Sequence, residues 1–248
     1  MSSATEPLAD ATRPPLACLR GVCKTYKLDA ITVPALIDID LEIRPHRFTV
    51  ISGPSGSGKT TLLNIIGCID TPDSGELVVA EQDVRALGDD ALSDFRARNV
   101  GFIFQNFNLL PVLSAYENVE YPLLLAHIPA RERDTRVRSL LAAVELADRA
   151  SSLPGQLSGG QRQRVAIARA LAPSPALVLA DEPTANLDSG TGATILALMR
   201  RMQRERRVSF VFSAHDPEVL AAADDAVMLR DGRVVAIERD RSPVGSSS

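Results

Sequence analysis

The sequence predicts an α/β fold in which helices cover both faces of a parallel sheet. Three apolar runs have the length and composition of buried strands, at residues 48–52, 176–181 and 208–213. Helical patterns lie between these runs, near residues 59–68, 130–147, 158–172 and 189–204. Because strands that alternate with helices are typical of parallel sheets, this order of elements predicts the fold class.

Three further segments complete the predicted organisation. Residues 106–172 carry helical patterns without an obvious buried strand, so we expect an inserted helical subdomain there. Residues 36–43 alternate apolar and polar side chains, which indicates a half-exposed strand. Near the C-terminus, Asp231 and Gly232 separate the apolar segments 225–230 and 233–238, and this pattern predicts a tight hairpin.

Composition limits the function classes. The 248 residues, 45% of them hydrophobic, suffice for one sizeable core or for a core domain with a modest attached subdomain. We place the folded domain at residues 16–241, between disordered tails at 1–15 and 242–248. Lys+Arg total 27 against Asp+Glu 31, so no electrostatic argument favours nucleic acid as a partner. No apolar run reaches the roughly 18–20 residues that span a bilayer.

The cysteines give no sign of a metal or disulfide framework. Cys18, Cys23 and Cys68 form an odd set without a paired CxxC spacing or nearby histidines. We therefore expect buried or half-buried thiols in a reducing cytosol.

A glycine-rich loop directly follows the first apolar strand and matches the GxxxxGK[ST] pattern of phosphate-binding P-loops. The P-loop consists of Gly53, Pro54, Ser55, Gly56, Ser57, Gly58, Lys59 and Thr60, and Thr61 follows it. Glycines let successive N–H groups converge on a phosphate, and the helix that begins near Lys59 presents its positive dipole end to the same anion. Lys59 can neutralise the β- and γ-phosphates, and the Thr60 hydroxyl can coordinate Mg²⁺. A flexible Gly/Ser turn is the alternative, but the position between strand and helix favours phosphate binding.

Two acidic residues end the strand predicted at 176–181. A carboxylate at the end of a buried strand is costly without a cation or donors, and Mg²⁺ would satisfy Asp181 through its water. Glu182 follows at the exit of the strand, where it can polarise an attacking water. Acidic residues after a strand are often simple helix caps; the presence of the P-loop favours the catalytic interpretation.

Residues 157–161 (LSGGQ) and the helical pattern after them resemble the signature of the ATP-binding cassette (ABC) ATPase family. Ser158 can cap a helix whose first turn exposes the N–H groups of Gly159 and Gly160, next to Gln161. One bound nucleotide needs only one such helix start, and this chain has two. The resemblance implies that each signature closes on ATP held by the P-loop of a second copy.

Four more residues match family motifs, and their roles are what the resemblance implies. Tyr26 would stack on adenine, and Gln105 would contact Mg²⁺ and sense a transport partner. Asp188 belongs to the loop that crosses the dimer interface, and His215 would contact the γ-phosphate. A lone histidine after a strand is usually an ordinary polar group, but its order and spacing behind Asp188 favour the functional role of His215. For Tyr26, ordinary core or surface packing stays the alternative.

The resemblance covers about residues 16–240 with no major motif degenerate. It implies an active ATPase and a P-loop ABC ATPase fold with an antiparallel β subdomain beside the parallel sheet. Within the family, the chain looks like the LolD/MacB/FtsE group. Four segments carry this likeness, at residues 63–70, 101–105, 108–111 and 180–188.

Resemblance to that group implies an ATPase at the cytoplasmic face of the cell membrane, bound to a permease for lipoprotein release, macrolide export or cell-wall remodelling. An ATP-dependent homodimer is favoured because one chain carries both intact halves of the site; a heterodimer is the alternative. We expect residues 105–121, with Phe107, Leu109, Leu110 and Pro111, to form the groove that receives the permease; ordinary core packing is the alternative. A different function stays open, namely a non-transport ATPase resembling SufC of iron–sulphur assembly. The solubility of the partner distinguishes the two.

Overall fold

A computed structural model describes residues 13–28, 31–214 and 216–241 of the chain. The predicted tail at 242–248 and all but three residues of the tail at 1–15 lie outside these ranges, as does His215. Within the described ranges, no helix combines the length and apolar character needed to cross a membrane.

The central sheet has six strands in the spatial order β10–β9–β3–β8–β7–β6. Their bounds are Phe48–Ser52 (β3), Val100–Ile103 (β6), Leu177–Asp181 (β7), Ser209–Ser213 (β8), Asp225–Arg230 (β9) and Arg233–Glu238 (β10). Neighbouring strands are parallel except for the antiparallel pair β9–β10. The three predicted buried strands are therefore confirmed as β3, β8 and β7, which lie side by side within the sheet.

Alternating residues of the central strands pack into two separate cores. Phe48, Val50, Phe210 and Phe212 belong to the core on the face of the helical subdomain, and Ile51 belongs to the core on the opposite face. Both faces are covered, because β-strand side chains alternate between the faces of a sheet. This confirms the predicted layering.

A second sheet forms the antiparallel β subdomain that the family resemblance implied. Its spatial order is β2–β1–β4–β5, with bounds Ala17–Leu28 (β1), Ile31–Ile43 (β2), Ser74–Val79 (β4) and Gln82–Asp83 (β5). The strand predicted at 36–43 is the second half of β2. Helix α1 lies between the two sheets, and four of its eight residues are buried in their shared core.

Seven helices occur in the described ranges: Lys59–Ile66 (α1), Asp89–Asn99 (α2), Ala115–Leu125 (α3), Ala130–Ala143 (α4), Gly159–Leu171 (α5), Ser189–Arg206 (α6) and Pro217–Ala221 (α7). Short 3₁₀ turns occupy Val84–Ala86, Ala147–Arg149 and Pro154–Gln156. Helices α3, α4 and α5 contact one another in the region predicted as an inserted helical subdomain.

The predicted C-terminal hairpin is also confirmed. Asp231 and Gly232 have φ angles of 48° and 73°, so both central residues of the turn are left-handed. Two-residue hairpin loops of this kind match the right-handed twist of the flanking strands, and Asp-Gly is a favoured sequence for them.

Candidate active site

The P-loop connects β3 to α1 in a backbone path that only glycine fits at two positions. Gly53 and Gly58 have φ angles of 150° and 100°. A Cβ atom on Gly53 would lie 2.0 Å from the carbonyl oxygen of Leu229, and one on Gly58 would lie 2.5 Å from that of Ala35. The loop is therefore pressed against neighbouring backbone, and α1 starts directly behind it.

Lys59 lies at the mouth of the P-loop. Its ammonium donates hydrogen bonds to the carbonyl oxygens of Gly53 and Pro54, both at 2.9 Å. The side chain of Ser57, in contrast, is buried beneath the loop and does not line the cavity described next. Among the P-loop residues predicted to bind cofactor, Ser57 can therefore contribute only through its backbone.

A cavity of about 670 Å³ opens over the P-loop, within the usual size range of ligand sites. It unites residues from five parts of the sequence. Its polar end is lined by residues 53–56 and 58–61, together with Gln105, Asp181 and Glu182. Most of the predicted site residues of a single chain thus meet in one cavity.

The other end of this cavity is apolar. Tyr26 on β1 pairs in register with Val33 on β2, and both line the cavity with Pro34 and Ala35. The Tyr26 phenol donates a hydrogen bond of 2.8 Å to Asp70. Burial raises the pKa of Tyr26, and the hydrogen bond to Asp70 acts in the same direction. An aromatic and aliphatic wall next to a phosphate loop suits a ligand with a flat ring at one end and phosphates at the other.

Asp181 is held by two hydroxyl groups. The Thr60 hydroxyl donates to Oδ2 of Asp181 at 3.1 Å, and the Ser213 hydroxyl donates to Oδ1 at 2.5 Å. Ser213 also accepts the backbone N–H of Glu182 at 3.1 Å. No sequence motif indicates this role of Ser213. The available signal was that Asp181 and Ser213 each end a predicted buried strand, and they are register partners in the parallel sheet.

Glu182 has an unusual backbone. Its φ angle is 46°, a left-handed conformation that costs a residue other than glycine about 1–3 kcal/mol. The hydrogen bond to Ser213 and the N–H of Ala185, which donates to the Glu182 carbonyl at 3.2 Å, hold this turn in place. Strained residues of this kind are concentrated at functional sites. Here the turn brings Glu182 to the cavity wall.

The oxygen donors in the cavity fit Mg²⁺. Thr60, Gln105 and Asp181 offer hydroxyl, amide and carboxylate oxygens, the type of donor that this hard cation prefers. In the described part of the chain, no group of three or more His, Cys, Asp or Glu residues could hold a metal. At nucleotide sites, substrate phosphates and water supply most of the Mg²⁺ ligands.

The signature residues lie outside the cavity. Ser158 caps α5: its hydroxyl accepts the N–H of Gln161 at 3.2 Å, and the Gln161 amide oxygen accepts the N–H of Ser158 at 2.9 Å. The next two N–H groups, those of Gly159 and Gly160, have no acceptor within the helix, because they belong to its first turn. The helix start packs on the same chain's α6, since a Cβ on Gly160 would lie 2.8 Å from Thr191.

Asp188 also lies outside the cavity. It caps α6 and accepts the N–H of Thr191 at 2.9 Å, and its hydrogen bonds to Thr191 lower the pKa of its exposed carboxyl. The neighbouring Asn186 donates its amide hydrogens to the carbonyl oxygen of Gln105 at 2.9 Å and to the side chain of Asn106 at 3.0 Å. The loop of Asp188 is thereby tied to the cavity wall.

A second cleft, of about 290 Å³, lies between β6, α2 and α3. Phe102, Phe104, Tyr121, Pro122 and Leu125 supply its apolar wall. Of the residues 105–121 expected to form the permease groove, only Tyr121 lines this cleft.

The other apolar residues expected in that groove have different environments. Leu109 packs against the core, and the Phe107 ring lies 5.2 Å from the guanidinium of Arg162. Leu110 and Pro111 are exposed. None of these four residues lines the cleft.

Comparison with known proteins agrees with this geometry. Residues 36–185 match the family model described as ABC transporter. An uncharacterized ABC transporter ATP-binding protein of Thermotoga maritima is 47% identical over 89% of this chain and 94% of its own length. The macrolide export ATP-binding/permease protein MacB of Brucella melitensis is 45% identical over 90% of this chain, which spans about a third (34%) of MacB.

A solved structure gives the same result. The dimeric post-hydrolysis state of the ATP-binding cassette MJ0796, bound to ADP and Pi, superposes with a TM-score of 0.83 at 43% identity. The match covers 91% of this chain and 99% of that one, and MJ0796 comes from Methanocaldococcus jannaschii. The chain therefore belongs to the ABC transporter family, as an ATP-binding cassette with ATPase activity.

Proposed function

We propose that two copies of this chain close around two MgATP and that the cycle of closing and opening drives a membrane permease. One observation carries the proposal. The P-loop, Asp181 and Glu182 share a cavity, whereas the second anion-binding helix start, at Ser158, opens outside it. A symmetric dimer can bring each signature to the cavity of the other copy.

Within one chain, the cavity residues bind and orient the nucleotide. The P-loop N–H groups and Lys59 hold the phosphates, and the apolar end with Tyr26 takes the base. Thr60, Gln105 and Asp181 would hold Mg²⁺, which supplies charge neutralisation to the phosphates when bound.

Hydrolysis requires an oriented water and stabilisation of the charge that develops on the transferred phosphoryl group. Glu182 lines the cavity, where its carboxylate would orient and polarise the water. Gln105 faces the same space. His215, proposed from its motif alone, would add a contact to the γ-phosphate.

The signature of the second copy would complete the site. Its Gly159 and Gly160 N–H groups and the positive end of α5 suit an anion, and Asp188 lies on the loop that would cross the interface. ATP then favours the closed dimer, and ADP favours the open chains. The difference in dimer affinity between the ATP-bound and ADP-bound states is the free energy passed to a partner. The dimeric state described for MJ0796 supports this arrangement.

We place the permease at the cleft beside α3. Tyr121, Leu124 and Leu125 are exposed around it, with 42%, 44% and 59% of their surfaces accessible. MacB is named as an ATP-binding/permease protein, which supports a permease of the macrolide-export, lipoprotein-release or FtsX type. The chain would then work at the cytoplasmic face of the cell membrane.

A pull-down tests the partner. Tagged Glu182→Gln protein is cross-linked in cells, and the captured proteins are identified by mass spectrometry. The control is Glu81→Gln, which makes the same change at another left-handed glutamate (φ 65°), on the β4–β5 turn. An integral membrane protein enriched over the control is the expected result. Capture of soluble iron–sulphur scaffold proteins alone would overturn the transport function and leave the ATPase activity standing.

A further inference from the structure

Asp70 joins the two ends of the nucleotide cavity. It follows α1, the helix that begins at Lys59, and its backbone N–H donates to the carbonyl oxygen of Asn64 at 3.2 Å. Its side chain crosses to β1, where Oδ2 accepts the phenol hydrogen of Tyr26 at 2.8 Å. One residue therefore links the helix that carries the P-loop to the aromatic ring at the opposite end.

A second contact fixes the carboxylate. Oδ1 of Asp70 accepts a hydrogen bond of 2.6 Å from the ammonium of Lys24, which also donates to the carbonyl oxygen of Thr71 at 2.8 Å. Only 12% of the Lys24 side chain and 27% of the Asp70 side chain are exposed. The ammonium lies 5.3 Å from the centre of the Tyr26 ring, within the range of a cation–π contact.

The charge state of Asp70 sets the direction of these bonds. Burial opposes ionisation, but the hydrogen bonds from Lys24 and Tyr26 outweigh it and lower the pKa of Asp70. An ionised carboxylate only accepts hydrogen bonds, so the Tyr26 hydroxyl must donate and the ring is held in one orientation.

The orientation of the ring matters because Tyr26 lies on β1, and β1 and β2 form the rim of the cavity. A tyrosine without such a bond would lose side-chain entropy when a base stacks on it, and that loss weakens binding. The bond to Asp70 fixes the ring before the ligand arrives. The Asp70 carboxylate does not line the cavity itself, so it acts through Tyr26.

We propose that Asp70 is a positioning residue for the nucleotide base: it holds Tyr26 as the stacking wall and so sets the affinity for the base without affecting the phosphates. This inference rests on the proposed binding of ATP in this cavity with its base against Tyr26. It adds a residue that neither the P-loop nor the signature contains.

The test compares two ligands, MgATP and inorganic tripolyphosphate with Mg²⁺, by isothermal titration calorimetry. Base–aromatic stacking is worth about fivefold to 150-fold in affinity. Because Asp70→Ala loosens the ring without removing it, we expect this variant to weaken ATP binding by part of that range, at least about threefold. Tripolyphosphate binding should stay within about twofold of wild type. In ATP turnover, KM should rise while kcat is unchanged.

Three variants separate positioning from a general structural effect. Tyr26→Phe keeps the ring but removes the hydroxyl and its hydrogen bonds to Asp70 and Thr61, so it should weaken ATP binding in the same direction. In a Tyr26→Ala background, Asp70→Ala should cause no further loss. Asp40→Ala is the matched control, because the Asp40 carboxylate accepts the N–H of Gly21 at 2.8 Å in the same sheet and lies away from the cavity.

Equal losses for ATP and tripolyphosphate in Asp70→Ala would overturn the proposal, as would a further loss in the Tyr26→Ala background. A Tyr26→Ala variant that binds ATP as tightly as the wild type would also overturn the proposal, but it would leave the ATPase function standing. If the wild-type chain bound tripolyphosphate but showed no preference for ATP, the binding pose on which the proposal rests would fail as well.

Discussion

Glu182→Gln removes one negative charge at the end of β7 and keeps the size of the side chain. The backbone at this position is held by Ser213 and by the N–H of Ala185, and neither contact depends on the carboxylate. The P-loop and Lys59 are unchanged. We therefore expect the variant to fold and to bind ATP as the wild type does.

The loss in turnover should be large. A positioned general base contributes about 10²–10⁴-fold to a rate, so kcat should fall by about that factor, or roughly 3–5 kcal/mol of activation free energy. Because ATP then persists in the site, the closed dimer should accumulate. The assay combines steady-state ATPase rates with size-exclusion chromatography and light scattering in MgATP, with Glu81→Gln as control. A Glu182→Gln variant that stays monomeric and hydrolyses ATP at the wild-type rate would refute the assigned role.

Three further predictions concern stability, measured by thermal unfolding without nucleotide. Gly53→Ala should unfold at a lower temperature than Gly56→Ala, because the added Cβ meets backbone at 2.0 Å in the first case and has no atom within 4 Å in the second; equal temperatures would contradict this. Glu182→Gly should be more stable than Glu182→Ala by about 1 kcal/mol, since glycine alone relieves the left-handed strain. A Glu182→Ala variant that is the more stable of the two would contradict this. Asp225→Asn should cost about 3 kcal/mol at neutral pH, because the fully buried carboxylate pairs with two arginines. Burial opposes ionisation of Asp225, yet the two arginines lower its pKa in the folded chain. The stabilisation by its carboxylate is therefore fully present above the pKa of the unfolded chain, about 3.9, and is lost as the pH falls through the folded pKa. The gap between wild type and Asp225→Asn should therefore close in acid, and a gap independent of pH would contradict it.

The sequence predicted the elements whose side chains are buried in a regular pattern. The strands β3, β7 and β8 are continuous apolar runs because both of their faces are covered. Helix α2 was missed because it has no fully buried residue, and only Leu92 and Phe95 pack, half-buried, against the core. Strand β1 was missed because irregularities interrupt its register with both neighbours, which breaks the alternation that marks a strand.

The cavity residues were predictable where a motif fixes them locally, as in the P-loop. The roles of Ser213 and Asp70 depend on contacts between distant segments, Ser213 with Asp181 and Asp70 with Tyr26. No local pattern carries such contacts. The burial of the Ser57 side chain beneath the P-loop likewise follows from the packing of the loop and not from the motif.

In the proposed dimer, each ATP site combines the P-loop of one copy with the signature of the other. Mixing two inactive variants tests it most directly. Lys59→Ala removes phosphate binding, and Gly159→Asp places an anion at the start of α5, where the added Cβ makes only an ordinary 3.4 Å contact with Leu187. A mixed dimer would contain one intact composite site, so an equimolar mixture should recover roughly a quarter of wild-type ATPase activity if the copies pair at random. A mixture that stays as inactive as the separate variants at every ratio would contradict the composite site.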